Sequence, residues 1–142
     1  MATPTKYNFP AELFYADKTH LWVRHEDGSA KIGLHALALE TFGDIAYIST
    51  VAAGTIIEQG QVIGSIEAAK MVDELIAPIS GVITARNEAA ERNPDLINSD
   101  PYQTGWIIAI EPAAWESEST QLIHGNALDA WVNAQVEQLD HD

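Results

Sequence analysis

The sequence predicts a mainly β domain, a sandwich or barrel of short strands with one short internal helix and one C-terminal helix. Three observations carry this. Between Leu21 and Ile110, short β-rich runs alternate with Gly, Pro, Asn and Asp; Leu34, Leu37 and Leu39 interrupt them near helical spacing; and apolar residues close to the C-terminus fall on roughly one helical face. At 142 residues, 46% hydrophobic and 20% charged, the chain is sized for one core and lies outside the compositions that stay disordered. It reads as a single domain over residues 1–142, with its core at about 15–112.

The strand runs are Leu21 to Arg24, Ala30 to Gly33, Ile45 to Ile48, Gln61 to Glu67, Asp73 to Ala77, Gly81 to Ala85 and Gly105 to Ile110. The short helix is expected over His35 to Thr41, about two turns, with Gly43 as its stop. Val62, Ile63, Ile66, Leu75, Ile76, Ile79, Val82 and Ile83 are expected to supply much of the core, with Trp106 and Ile108 packed nearby. Ser65, Glu67, Asp73 and Thr84 are left for the outer faces. The polar, acidic stretch Ala113 to Gly125 connects the last strand to a helix that Asn126 caps and that runs to Leu139. Its face of Leu128, Trp131, Val132, Val136 and Leu139 must dock on the domain.

Composition removes several functions. Seven Lys and Arg stand against 21 Asp and Glu, a net charge of −14, which repels phosphate backbones and anionic membranes. Cysteine is absent, so disulfides, thiolate nucleophiles, thiolate zinc sites and cysteine-held iron–sulfur clusters are excluded, and any redox chemistry must come from a cofactor. Nucleophile elbows, phosphate loops, dinucleotide fingerprints and His-Glu-x-x-His are all missing. His20, His25, His35, His124 and His141 share no ligand spacing, and read as surface or locally bonded histidines. In so acidic a chain, Asp73-Glu74 and Glu26-Asp27 read as solvated surface rather than acid–base pairs. The N-terminus has neither the charge pattern nor the apolar run of a secretion signal, and no stretch is long enough to span a membrane, so a cytoplasmic location is expected.

The informative stretch is residues 54–83. Two strand runs flank Ala68-Ala69-Lys70-Met71, and among Lys6, Lys18, Lys31 and Lys70 only Lys70 has small and apolar neighbours on both sides. An amine at a hairpin tip is reachable by a modifying enzyme, the alanines leave the approach open, and Met71 offers a soft contact for an acyl chain. An ordinary hairpin lysine fits the same spacing.

Glu67-Ala68-Ala69-Lys70-Met71 followed by Ala77-Pro78-Ile79-Ser80-Gly81-Val82-Ile83 resembles the lysine hairpin of biotinyl/lipoyl carrier domains. His20-x-Trp22-Val23-Arg24, Ile32-Gly33, Phe42-Gly43-Asp44-Ile45, Asn93-Pro94-Asp95-Leu96-Ile97-Asn98-x-Asp100-Pro101-Tyr102 and Gly105-Trp106-Ile107 further resemble the glycine cleavage H-protein family, from about Tyr15 to Leu139. The resemblance implies a barrel-sandwich hybrid of two antiparallel sheets and a non-catalytic, monomeric carrier. It would bear lipoate in amide linkage to Lys70, with Glu67, Ala68, Ala69, Met71 and Glu74 around the attachment point.

The sequence departs from the family pattern at three places, one of them the lysine motif, where Ala68-Ala69-Lys70-Met71 replaces the family's Ser-Val-Lys-Ala. Leu21 stands where the family has a glutamate and Leu37 where it has a helix histidine, so both leucines are candidate contacts for the arm, and they suggest a drier pocket than an amine-bearing cargo needs. That shift resembles the lipoate-binding proteins of sulfur oxidation, which work with a heterodisulfide-reductase-like complex and hold sulfur intermediates. The alternative is the glycine cleavage role itself, carrying an aminomethyl group among glycine decarboxylase, aminomethyltransferase and dihydrolipoamide dehydrogenase. Either role implies a lipoate ligase or lipoyl transferase as a partner.

Overall fold

Alternation of apolar and polar residues builds two antiparallel sheets that bury their inner faces against each other. The structure is a computed structural model that describes residues 8–141, and side chains as far as residue 138. The N-terminal seven residues and the side chains of Leu139 and His141, on which expectations were placed, lie outside the described residues.

The described residues form nine strands: β1 (Phe14–Tyr15), β2 (Leu21–Glu26), β3 (Ser29–Leu34), β4 (Ile45–Thr50), β5 (Ile56–Ile57), β6 (Val62–Ala68), β7 (Val72–Ile76), β8 (Gly81–Arg86) and β9 (Ile108–Pro112). A six-stranded sheet has the order β1-β2-β3-β9-β8-β5, and a three-stranded sheet the order β4-β6-β7. The β2–β3 hairpin closes on Asp27 and Gly28, both at positive φ (52° and 76°), as its two-residue turn requires.

The inner faces meet in one cluster. Leu21, Val23, Ile32, Ile57, Ile83, Ile108 and Ile110 of the larger sheet pack with Ile45, Ile48, Ile63, Ile66 and Leu75 of the smaller. Each such side chain contributes about 1.5–3 kcal/mol by leaving water. The expected core needs correction at its adjacent apolar pairs. Ile63, Leu75 and Ile83 point inward, but Val62 and Val82 are exposed and Ile76 is only half-buried, because successive residues on a strand face opposite sides. Ile79 is buried as expected. Trp106 packs against a second cluster instead, made of Leu13, Tyr15, Trp22, Tyr102, Leu128, Trp131 and Val132.

Five α-helices lie among the described residues: α1 (Ala36–Phe42), α2 (Glu88–Arg92), α3 (Asp95–Ser99), α4 (Trp115–Glu118) and α5 (Leu128–His141). The apolar face of α5 docks on the second cluster, where Trp131 Nε1 donates to Asp17 Oδ1 at 2.8 Å. Asn126 does not cap it; it lies in a 3₁₀ turn, Gly125–Ala127, that leads into the helix. His35 is the N-cap of α1 rather than its first residue, its Nδ1 accepting from Ala38 N at 3.1 Å.

The Asn-Pro-Asp-Leu-Ile-Asn segment forms α3 and has a structural task. Asn98 Oδ1 accepts from Ile45 N at 2.8 Å and its Nδ2 donates to Ile45 O at 3.2 Å, so one side chain satisfies the backbone where β4 begins. Asn98→Ala leaves those groups unpaired in a partly buried position, and chemical denaturation should give a loss of about 1–3 kcal/mol.

Candidate functional site

Lys70 sits at the tip of the β6–β7 hairpin, and the sequence dictates that tip closely. Ile63, Ile66 and Leu75 bury the hairpin's inner face, while pairing runs from Val62↔Ile76 to Glu67↔Val72. Ala68 N donates to Met71 O at 2.9 Å, leaving Ala69 and Lys70 as the two turn residues. Ala69, Lys70 and Met71 are all exposed.

The tip is tied to the rest of the domain chiefly through backbone. Ala69 N donates to Asp44 O and Lys70 N to Phe42 O, each at 2.9 Å. Between those acceptors lies Gly43, which ends α1 at φ 78°, ψ −169° and whose own N–H closes the helix on Leu39 O at 2.9 Å. A Cβ placed on Gly43 would stand 3.2 Å from both Ala69 Cβ and Lys70 Cγ. The Lys70 stem therefore crosses a strip cleared of side chain, and its Nζ donates to Glu40 O at 3.1 Å, one of the carbonyls left open where α1 ends. No carboxylate pairs with Lys70 among the described residues, whose ion pairs are Arg24–Glu12 and Arg86–Glu91.

The remaining expected site residues divide. Glu67 and Glu74 are exposed on the outer face of the small sheet, with Glu74 opposite Ser65, whose Oγ lies 3.1 Å from Ser49 Oγ. Ala68 is half-buried against the core. Leu21 and Leu37 require correction: they are 0% and 5% exposed, so both are packing residues and neither offers a surface to an arm. Hydrophobic side chains at these positions are held by burial in the fold and do not line a dry pocket on the surface.

Asp73, expected on the outer face, is instead half-buried at the edge of the small sheet, where its charge acts on His20. His20 is a non-glycine residue at φ 68°, its ring edge-on to Phe42 at 5.1 Å and to His35 at 5.9 Å. Burial lowers its pKa, and the Asp73 carboxylate partly opposes that. The His20-x-Trp22-Val23-Arg24 run marks His20 in the sequence, but its setting beside Phe42, His35 and Asp73 is visible only in the fold. The Phe42-Gly43-Asp44 run is visible in the sequence as a motif, and in the fold its carbonyls anchor the hairpin.

An exposed primary amine with no carboxylate partner, on a hairpin tip held by backbone hydrogen bonds, is suited to acylation, and the cleared strip at Gly43 leaves room for an arm to leave the surface. These residues fit a covalently attached lipoyl group. Gly43→Ala forces a side chain into a glycine-only backbone region and against the Lys70 stem. Lipoylation should slow several-fold in a timed mass-spectrometric assay, with a stability loss of about 1–3 kcal/mol. Among the described residues, no His/Asp/Glu group is arranged to hold a metal and no helix is long and apolar enough to cross a membrane.

Comparison with known proteins agrees with this geometry. The family model described as glycine cleavage H-protein matches residues 13–135. A glycine cleavage system H protein of Synechococcus sp. (strain RCC307) is 40% identical over 124 residues, covering 87% of this chain and 94% of the relative. Its counterpart in Bacteroides thetaiotaomicron is 39% identical over 126 residues, covering 89% and 98%. The crystal structure of a glycine cleavage system H protein from Mycobacterium marinum superposes with a TM-score of 0.71 at 30% identity, covering 80% of this chain and 98% of that one. The two antiparallel sheets are those of a barrel-sandwich hybrid, and the chain belongs to the glycine cleavage H-protein family of non-catalytic carriers that hold lipoate on a lysine.

Proposed function

We propose that this chain is the lipoyl carrier of a glycine cleavage system, with lipoate in amide linkage to Lys70. The observation that carries the reading is the exposed Lys70 amine, free of any carboxylate among the described residues and held out by backbone hydrogen bonds to Phe42 and Asp44. Lipoate held by Lys70 would supply a dithiolane, a redox-active group able to carry a one-carbon unit on sulfur. The protein's own part is positional. Phe42 and Asp44 fix the tip, Gly43 keeps the stem unobstructed, and tethering holds the arm at high local concentration for each docked enzyme.

The similar proteins bear the glycine cleavage name, which supports glycine decarboxylase, aminomethyltransferase and dihydrolipoamide dehydrogenase as partners, with a lipoate ligase or lipoyl transferase upstream. The competing sulfur-oxidation role draws on Leu21 and Leu37, both core residues, and on Ala68-Ala69-Lys70-Met71 around the attachment point; with the two leucines buried, the glycine cleavage names of the similar proteins favour the glycine cleavage role. The test is reconstitution. Chain made with lipoate and a ligase should gain the mass of one lipoyl group on Lys70 and then sustain glycine decarboxylation with the three enzymes. A lipoylated chain inert with glycine decarboxylase but active with a heterodisulfide-reductase-like complex would reverse the assignment.

A further inference from the structure

The outer face of the small sheet is unusual for a strand surface in water. Register across β4, β6 and β7 sets Tyr47, Glu67 and Val72 in one row, with Ser49, Ser65 and Glu74 in the next row of the same face. Outward positions of a half-solvated sheet are ordinarily polar. Yet Tyr47 is 54% exposed, Val72 69% and Met71, beside Lys70 in the turn, 38%. These are three of the six large apolar side chains exposed among the described residues, and all three lie at the hairpin or on the strand paired with it.

Charge around the patch has one sign. Glu40, Asp44, Glu67 and Glu74 are exposed about it, and α1, β4, β6 and β7 contain no Lys or Arg. Acylation of Lys70 would remove the one positive charge that α1, β4 and the β6–β7 hairpin carry and leave an apolar centre beside the Glu40, Asp44, Glu67 and Glu74 carboxylates. Such a surface matches a partner with an apolar socket bordered by Lys and Arg, and it is repelled by anionic lipid.

We infer that Tyr47, Met71 and Val72 form the docking patch on which each enzyme acting at Lys70 seats this chain, each through an apolar socket with a basic rim. The inference rests on reading Lys70 as the attachment point. Because the patch adjoins the lysine, partners occupy it in turn and exclude one another. The apolar centre supplies affinity, and the carboxylate rim supplies encounter rate and salt dependence.

The test measures kcat and KM for lipoylation of the whole chain by a lipoate ligase, and for glycine decarboxylase with the lipoylated chain. Val72→Lys and Tyr47→Ser are compared with Ile56→Lys, which alters a 76% exposed residue on the other sheet. Val72→Lys and Tyr47→Ser should each lower kcat/KM about tenfold or more through KM, with kcat preserved, in both reactions. Ile56→Lys should match wild type, and wild-type kcat/KM should fall as salt rises. Unchanged kcat/KM in the patch variants, or an equal loss in Ile56→Lys, overturns the inference while leaving Lys70 as the lipoyl site. Self-association of wild type that Val72→Lys abolishes, without effect on lipoylation, gives the patch to a second copy and also overturns it. A wild-type chain left unmodified would instead bring down the Lys70 reading itself.

Discussion

Lys70→Arg abolishes lipoylation and reduces every arm-dependent turnover to background, while the fold keeps its stability to within about 0.5 kcal/mol. The side chain is exposed and its Nζ makes one hydrogen bond, to Glu40 O, which a guanidinium can also donate. What the substitution removes is the nucleophile. Arginine stays protonated with its charge delocalised, so it cannot form the amide that an amine forms. The tip's position depends on backbone donors at Ala69 and Lys70, and those survive any change of side chain. Intact-mass measurement after incubation with lipoate and ligase checks the first effect, glycine decarboxylation with the three enzymes the second, and thermal denaturation the third. Lipoyl mass on another lysine of the variant, with turnover retained, would move the attachment point away from Lys70.

How much of this site was legible in the sequence depends on whether side chains or backbone encode it. The hairpin was legible, because β6 and β7 alternate on both sides of a lysine with small neighbours. Its anchoring was not, because Ala69 N to Asp44 O and Lys70 N to Phe42 O are backbone contacts that any residue but proline can make. Adjacent apolar pairs hid the facing of their strands: Val62-Ile63 and Val82-Ile83 look alike until pairing with Ile76 and Glu111 fixes which member turns inward. The two-residue strands β1 and β5 are shorter than any periodic signal, and α2 and α3 are too short to show a helical face. Leu21 and Leu37 misled for a related reason. A leucine in place of a polar residue suggests a drier surface only if the position is on the surface, and the burial of Leu21 between the sheets and of Leu37 in α1 is visible only in the assembled fold.

Acidification should weaken the fold through His35, and with it the platform under Lys70. The His35 ring is buried among Phe9, Tyr15, His20 and Trp131. Desolvation, reinforced by the nearby His20, pushes its pKa down from 6.5 to about 3. A histidine whose folded pKa is depressed binds fewer protons folded than unfolded, so stability is fully present above the unfolded pKa of 6.5 and declines as pH falls toward 3. The slope approaches 1.4 kcal/mol per pH unit, and the whole interval amounts to roughly 5 kcal/mol, a large share of a domain's total of about 5–15. Loss of net negative charge on acidification relieves self-repulsion and works in the opposite direction, so a variant is needed to isolate the histidine. Protonated Nδ1 can no longer accept from Ala38 N, and the N-terminus of α1 loses its cap. The far end of that helix carries Phe42 and leads into Gly43 and Asp44, so fraying of α1 loosens the backbone bonds that hold the Lys70 turn. His35→Asn retains a capping side chain without the titration. Denaturant midpoints measured between pH 7 and pH 4 should fall more steeply for wild type than for His35→Asn. Parallel curves for the two proteins would remove His35 as the source of acid sensitivity.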